Sequence, residues 1–100
     1  MARLGDLVQK VRSKNAGPFW LTIDVFCGDD AAFRLVRDSL STDRVAALYH
    51  QPVEAVKRFD IEDLCVIKFS MPRTVVQGSR EDRDMHASQW AWVLAEMDVN

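Results

Sequence analysis

Six consecutive residues, Arg12-Ser13-Lys14-Asn15-Ala16-Gly17, put two cations, a hydroxyl, an amide and a glycine directly ahead of Pro18. That combination suits an oxyanion. Arg12 offers a planar fork to a carboxylate or phosphate, Lys14 a point charge, Ser13 and Asn15 neutral donors, and Gly17 lets backbone N–H groups approach closely. The run is neither a GxxxxGK[ST] phosphate loop nor a GxGxxG dinucleotide turn. The plainer alternative is a solvated turn with two surface cations. Asp24 and Lys68 are the only charged residues inside the two strongest strand patterns, and both fall on the same outer face. They form a structural ion pair, or else Lys68 anchors a substrate or serves as a base whose pKa is lowered by its surroundings.

Asp82, Asp84 and His86 alternate along the chain. In an extended loop they would project to one side, within reach of a divalent cation. Arg80, Glu81 and Arg83 interleave with them, which favours a solvated charged segment capping the next helix, so no metal is assigned. His50 and His86 stand in no triad signature with a Cys or Ser nucleophile, and nucleophilic catalysis has no support. Trp90 and Trp92 read as core and interface residues rather than a ligand cage, because Trp90 continues a helical apolar stripe.

The elements that must carry these groups follow from periodicity. From Trp20 to Cys27, Leu21, Ile23, Val25 and Cys27 alternate with Trp20, Thr22, Asp24 and Phe26, a strand. Leu4, Leu7, Val8 and Val11 predict a short helix, with an edge strand as the alternative. Arg12 to Pro18 is read as a loop, since Asn, Gly and Pro favour turns and the residue before a proline avoids helix. Gly28-Asp29-Asp30 caps a helix carrying Phe33, Val36 and Leu40, and Ser41-Thr42 caps a second one that Gln51-Pro52 ends. Val53 to Asp60 and Leu64 to Met71 predict two strands joined as a hairpin, the second with Cys65, Ile67, Phe69 and Met71 on one side and Leu64, Val66, Lys68 and Ser70 on the other. Trp90, Val93, Leu94 and Met97 predict a last helix, and Ala95 to Val99 a possible closing edge strand.

This order is βαββαβ, so the expected fold is α+β: a ferredoxin-like split βαβ domain with helices on one face of an antiparallel sheet. In it the strands at 20–27 and 64–71 are neighbours. Trp20, Phe26, Leu64 and Val66 then lie on the face away from the helices, too apolar for bare water, and call for a cover: the N-terminal segment, a second copy or another protein.

One hundred residues make a single domain, 1–100, able to hide about two thirds of its surface on folding. Apolar residues at 48% and charged residues at 28% are globular composition, which excludes disorder and low-complexity scaffolds. Thirteen basic and fifteen acidic residues give a net charge of -2, the wrong sign for holding nucleic acid by phosphate neutralisation. Cys27 and Cys65 lie in apolar runs outside any metal-ligand spacing and read as buried, reduced thiols. The opening residues do not form a signal peptide and no apolar run is long enough to span a membrane, so a cytoplasmic, soluble protein is expected.

The run Arg12-Ser13-Lys14-Asn15-Ala16-Gly17-Pro18-Phe19, with Leu21-Thr22-Ile23-Asp24, Ile67-Lys68 before Pro72-Arg73, and Gly78-Ser79 ahead of Asp82 and Asp84, resembles the family named domain of unknown function 4387. The resemblance covers nearly the whole chain. It implies a layout similar to the ferredoxin-like domain of acyclic terpene utilisation (AtuA-like) proteins, and a small accessory subunit beside a larger AtuA-like enzyme of acyl-CoA or organic-acid catabolism. It further implies a ligand-binding set of Arg12, Ser13, Lys14, Asn15, Gly17, Asp24, Lys68, Arg73, Gly78, Ser79, Asp82 and Asp84. No cofactor is implied. Met85-His86-Ala87-Ser88-Gln89 departs from the tyrosine-glycine-alanine-glutamine run expected after the second aspartate. The leading expectation is an interaction module that docks through its open sheet face on the larger protein or on itself. The alternative is a substrate-binding or catalytic subunit in which Arg12, Lys14 and Lys68 hold a carboxylate or CoA-type ligand.

Overall fold

The computed structural model describes residues 2–17, 19–72 and 88–99. The chain begins with β1 (Ala2–Arg3), α1 (Leu4–Leu7) and β2 (Lys10–Asn15). The alternation after Pro18 becomes β3 (Trp20–Phe26), on which Leu21, Ile23 and Val25 are fully buried. Next come α2 (Asp30–Ser39), α3 (Thr42–Leu48), β4 (Lys57–Ile61), β5 (Val66–Pro72), α4 (Ser88–Ala95) and β6 (Asp98–Val99). Strands β3 and β5 are antiparallel neighbours, as the expected topology required, with Ile23 opposite Phe69 and Val25 opposite Ile67. Ile67, Phe69 and Met71 are as deeply buried as their partners. Phe33, Val36, Val45 and Leu94 from the helices, with Leu40 at the C-cap of α2, join the same cluster, so the helices cover one face of the sheet.

The cap signals hold. The Asp29 carboxylate accepts the Ala32 N–H at 2.7 Å to start α2, and Ser41 Oγ accepts the Arg44 N–H at 3.2 Å to start α3. The predicted hairpin of β4 and β5 is present, but both strands are shorter than expected. Val53–Ala55 and Glu62–Leu64 form single 3-10 turns, and Cys65 adopts a left-handed conformation that interrupts the extended run. Leu64 therefore sits in a turn, not on the outer face of β5.

Two expectations are corrected. The Arg12 to Asn15 segment is not a loop: it is the second half of β2, paired residue for residue with β3 from Lys10 opposite Phe26 to Asn15 opposite Leu21. The ladder of main-chain hydrogen bonds outweighs the weak turn preference of Asn15. The turn is confined to the residues that follow, where the Ala16 N–H donates to the Trp20 carbonyl at 2.9 Å and Gly17 takes a φ of +86°, open to glycine without strain. The predicted helix over residues 4–11 is correspondingly one turn of helix followed by this edge strand.

The second correction concerns topology. The fold is α+β with a four-stranded antiparallel sheet of order β2-β3-β5-β4. A ferredoxin-like plan would place the closing strand beside β3. That edge is taken by β2, which reaches it through a short local turn at small closure entropy. The closing segment instead forms β6 and pairs with β1, with the Leu4 N–H donating to the Met97 carbonyl at 2.8 Å.

Arg58 ties sheet to helix. From β4 it turns inward, donating from Nη1 to the Leu40 carbonyl, from Nη2 to the Arg37 carbonyl at 3.1 Å and from Nε to Asp60 at 2.8 Å. Its guanidinium lies 5.6 Å from the centre of the Phe69 ring.

Both cysteines are free thiols, and the Cys27 N–H donates to the Cys65 carbonyl at 2.9 Å. Burial pushes the Cys27 thiol from 9.0 up to about 11, with Cys65 and Asp29 adding to the shift. The unfolded chain therefore loses this proton first as pH rises, which draws the equilibrium toward unfolding. The melting temperature is expected to fall between pH 9 and 11, and Cys27→Ala to flatten that part of the profile. An unchanged slope in Cys27→Ala would contradict it. No helix among the described residues is long and apolar enough to cross a membrane.

Candidate functional site

Residues directly opposite one another in an antiparallel sheet present side chains to the same face. The pairings therefore lay out the face away from the helices as cross-strand rows. Lys10, Phe26, Val66 and Ile61 form one row, Arg12, Asp24, Lys68 and Phe59 the next, and Lys14, Thr22, Ser70 and Lys57 a third, with Trp20 opposite Pro72 beyond it. Lys10, Arg12, Lys14 and Lys57 are exposed. Among the described residues, five cations thus share this face with one carboxylate, Asp24, in a chain whose overall charge is negative.

Segregation of charge is the defining property of this surface. Among the described residues the ion pairs belong to Arg3, Arg34, Arg37 and Arg58, none of them on this face. Asp24 faces Arg12 on one side and Lys68 on the other, so the predicted juxtaposition with Lys68 is real, but neither cation closes to ion-pair distance. The aromatic residues are interleaved with the cations. The Lys10 ammonium lies 4.9 Å from the centre of the Phe26 ring and that of Lys57 lies 5.7 Å from Trp20, contacts that stabilise a cation without neutralising it. Trp20 is 38% exposed and Phe59 49%.

The expectation of a predominantly greasy outer face is thereby corrected. Val66 is nearly buried, Phe26 is half-buried beneath Lys10, and Leu64 is elsewhere. What remains open is cationic with aromatic spots. Lys10, Lys57, Phe59 and Ser70 were not among the sequence-derived candidates. Their signal was the alternation of charge in Lys10-Val11-Arg12-Ser13-Lys14 and the period of two in Lys57-Arg58-Phe59-Asp60-Ile61, legible once both are read as strands.

The proposed ligand-binding set divides. Arg12, Lys14, Asp24 and Lys68 come together on the open face. Ser13 and Asn15 point to the helical side, opposite Ile23 and Leu21. There Ser13 Oγ accepts the backbone N–H of Ala91 at 3.0 Å, anchoring the first turn of α4 to β2. Gly17 lies in the β2–β3 turn. Arg73, Gly78, Ser79, Asp82 and Asp84, with His86, lie outside the described residues. A cleft of about 350 Å³ opens between α1, β2 and α4, but Arg3 at its wall is matched by Asp6 at 3.5 Å and Glu96 at 3.3 Å, so it offers little unbalanced charge.

The family model described as Domain of unknown function (DUF4387) matches residues 4–98. The chain belongs to this family. No curated protein and no solved structure matches it. The DUF4387 match spans α1 and every strand of the four-stranded sheet, so the cationic face lies wholly inside the family's extent.

Proposed function

We propose that this DUF4387 protein is an accessory module that docks through its open sheet face on the acidic surface of a larger enzyme, an AtuA-like protein of acyl-CoA or organic-acid catabolism. The observation that carries this reading is the face itself: Lys10, Arg12, Lys14, Lys57 and Lys68, opposed among the described residues only by Asp24, with Trp20 and Phe59 exposed between them. Unpaired cations around solvent-facing aromatic rings supply both the steering charge and the anchors that protein interfaces use. Membership in the family supports the assignment to an AtuA-like partner through the resemblance described above. A second copy is the weaker occupant, because two such faces brought together repel.

The test is co-purification of the full chain with an AtuA-like protein, followed by calorimetric titration. Raising salt from about 50 to about 200 mM is expected to weaken the complex, since the attraction is screened. Arg12→Glu with Lys68→Glu is expected to weaken it by at least about tenfold, chiefly through association rate. Affinity indifferent to both salt and charge reversal would refute docking through this face.

A second reading is favoured by the Arg12, Asp24, Lys68 row: a substrate-binding subunit that holds a carboxylate or CoA-type ligand through Arg12, Lys14 and Lys68. Direct binding of such a ligand to the isolated chain, lost in Lys14→Ala and Lys68→Ala, would support it over docking alone.

A further inference from the structure

The third cross-strand row carries an irregularity that protein docking does not account for. Thr22 is only 7% exposed, and its Oγ1 is the buried side-chain polar atom without a hydrogen-bond partner among the described residues. Buried hydroxyls are normally satisfied, and one that is not asks for a missing partner. Thr22 belongs to the outward face, not to the helical one. Its neighbours across the strands are Lys14 on one side and Ser70 on the other, with Lys57 beyond Ser70. Directly opposed residues stand about 5 Å apart at Cβ, so the two hydroxyls are close enough to donate to one ligand group. Two hydroxyls between two ammonium groups therefore lie on one line, with Arg12 and Lys68 in the adjacent row.

We infer that this row is a binding site for a phosphoryl group, with the Thr22 and Ser70 hydroxyls donating to its oxygens and Lys14 and Lys57 balancing its charge. A phosphoryl group suits it better than a carboxylate. A single carboxylate carries one negative charge and is matched by a guanidinium fork, whereas point charges and single hydroxyl donors fit a tetrahedral dianion. The inference rests on the reading of the open face as a binding surface, but it concerns a small ligand rather than the docked protein. It assigns a role to Thr22, Ser70 and Lys57, which the ligand-binding set implied by resemblance leaves out.

The test titrates inorganic phosphate into the isotopically labelled full chain at constant ionic strength, with acetate as the competing source of negative charge. Phosphate is expected to shift the amide signals of residues 14, 22, 57 and 70 saturably, and acetate to do so at least about tenfold more weakly. Thr22→Val, which keeps shape and charge, is expected to lose at least about tenfold in phosphate affinity while its melting temperature stays equal or rises, because an unsatisfied hydroxyl is removed. Phosphate binding undiminished in both Thr22→Val and Ser70→Ala would overturn the site, as would equal binding of acetate. A fall in the melting temperature of Thr22→Val would assign the hydroxyl a structural role instead and overturn it too. Thr22→Val leaves the cations intact, so protein docking is expected to survive it. Absence of a phosphate response with salt-dependent docking retained would remove this inference alone.

Discussion

Phe69→Ala is expected to lower the unfolding free energy by about 3–5 kcal/mol, the range for truncating a fully buried aromatic ring in a close-packed core. Phe69 has no exposed surface and lies on β5, opposite Ile23 on one side and Arg58 on the other. The loss combines the transfer free energy of the ring with the void it leaves, and the guanidinium stacked on it loses its seat. Domains of this size have about 5–15 kcal/mol in total, so the denaturant midpoint should move by a large fraction of its value. Lys68 and Ser70 flank Phe69 and point to the other face. At temperatures where the variant remains folded, any anion response of the open face should therefore persist, which separates loss of core from loss of site. A cost below about 1.5 kcal/mol would mean that the helical layer collapses to fill the void, contrary to the packing described.

Arg58→Ala is expected to cost about 2–4 kcal/mol, large for a residue on an edge strand, because one side chain closes several open ends. Its two terminal nitrogens bind the carbonyls of Arg37 and Leu40 at the C-terminal end of α2, where helix carbonyls lack intrahelical partners and the dipole favours a cation. Removing it leaves those carbonyls in a partly buried setting without a charged donor. Arg58→Lys should recover less than half of the loss, since one ammonium cannot span two carbonyls and Asp60 while staying over the Phe69 ring. Asp60→Asn, by contrast, should cost less than about 1 kcal/mol, because the Asp60 carboxylate is 37% exposed and its pairing is largely replaced by water. Chemical unfolding of the three variants measures the differences. Equal costs for Arg58→Ala and Arg58→Lys are incompatible with the helix-end role.

Local patterns carried far in this chain. The alternation at Trp20 to Phe26 and at Val66 to Met71 marked two central strands and which side of each is buried, since a period of two leaves no freedom once one face is apolar. Asp29 and Ser41 marked helix starts for the same kind of reason, a short side chain meeting N–H groups within three residues of it. Arg12, Lys14, Asp24 and Lys68 were legible as a group of charges. Their setting was not. Reading Asn15 to Pro18 as punctuation moved the loop boundary too early, because turn propensity is local while the pairing of Lys10–Asn15 with Trp20–Phe26 is a cooperative gain shared by the whole strand.

Residue types and spacing by themselves determined an α+β chain with two strands buried on one side, capped helices and a cluster of cations near its beginning. Only the tertiary structure decided that those cations belong to a strand, that Lys57 and Lys68 arrive beside them from far along the chain, and that Ser13 and Asn15 turn away from them. The physical reason is register: side chains from distant segments share a surface only after main-chain hydrogen bonding has aligned their strands, and a shift of one residue would send every one of them to the opposite side.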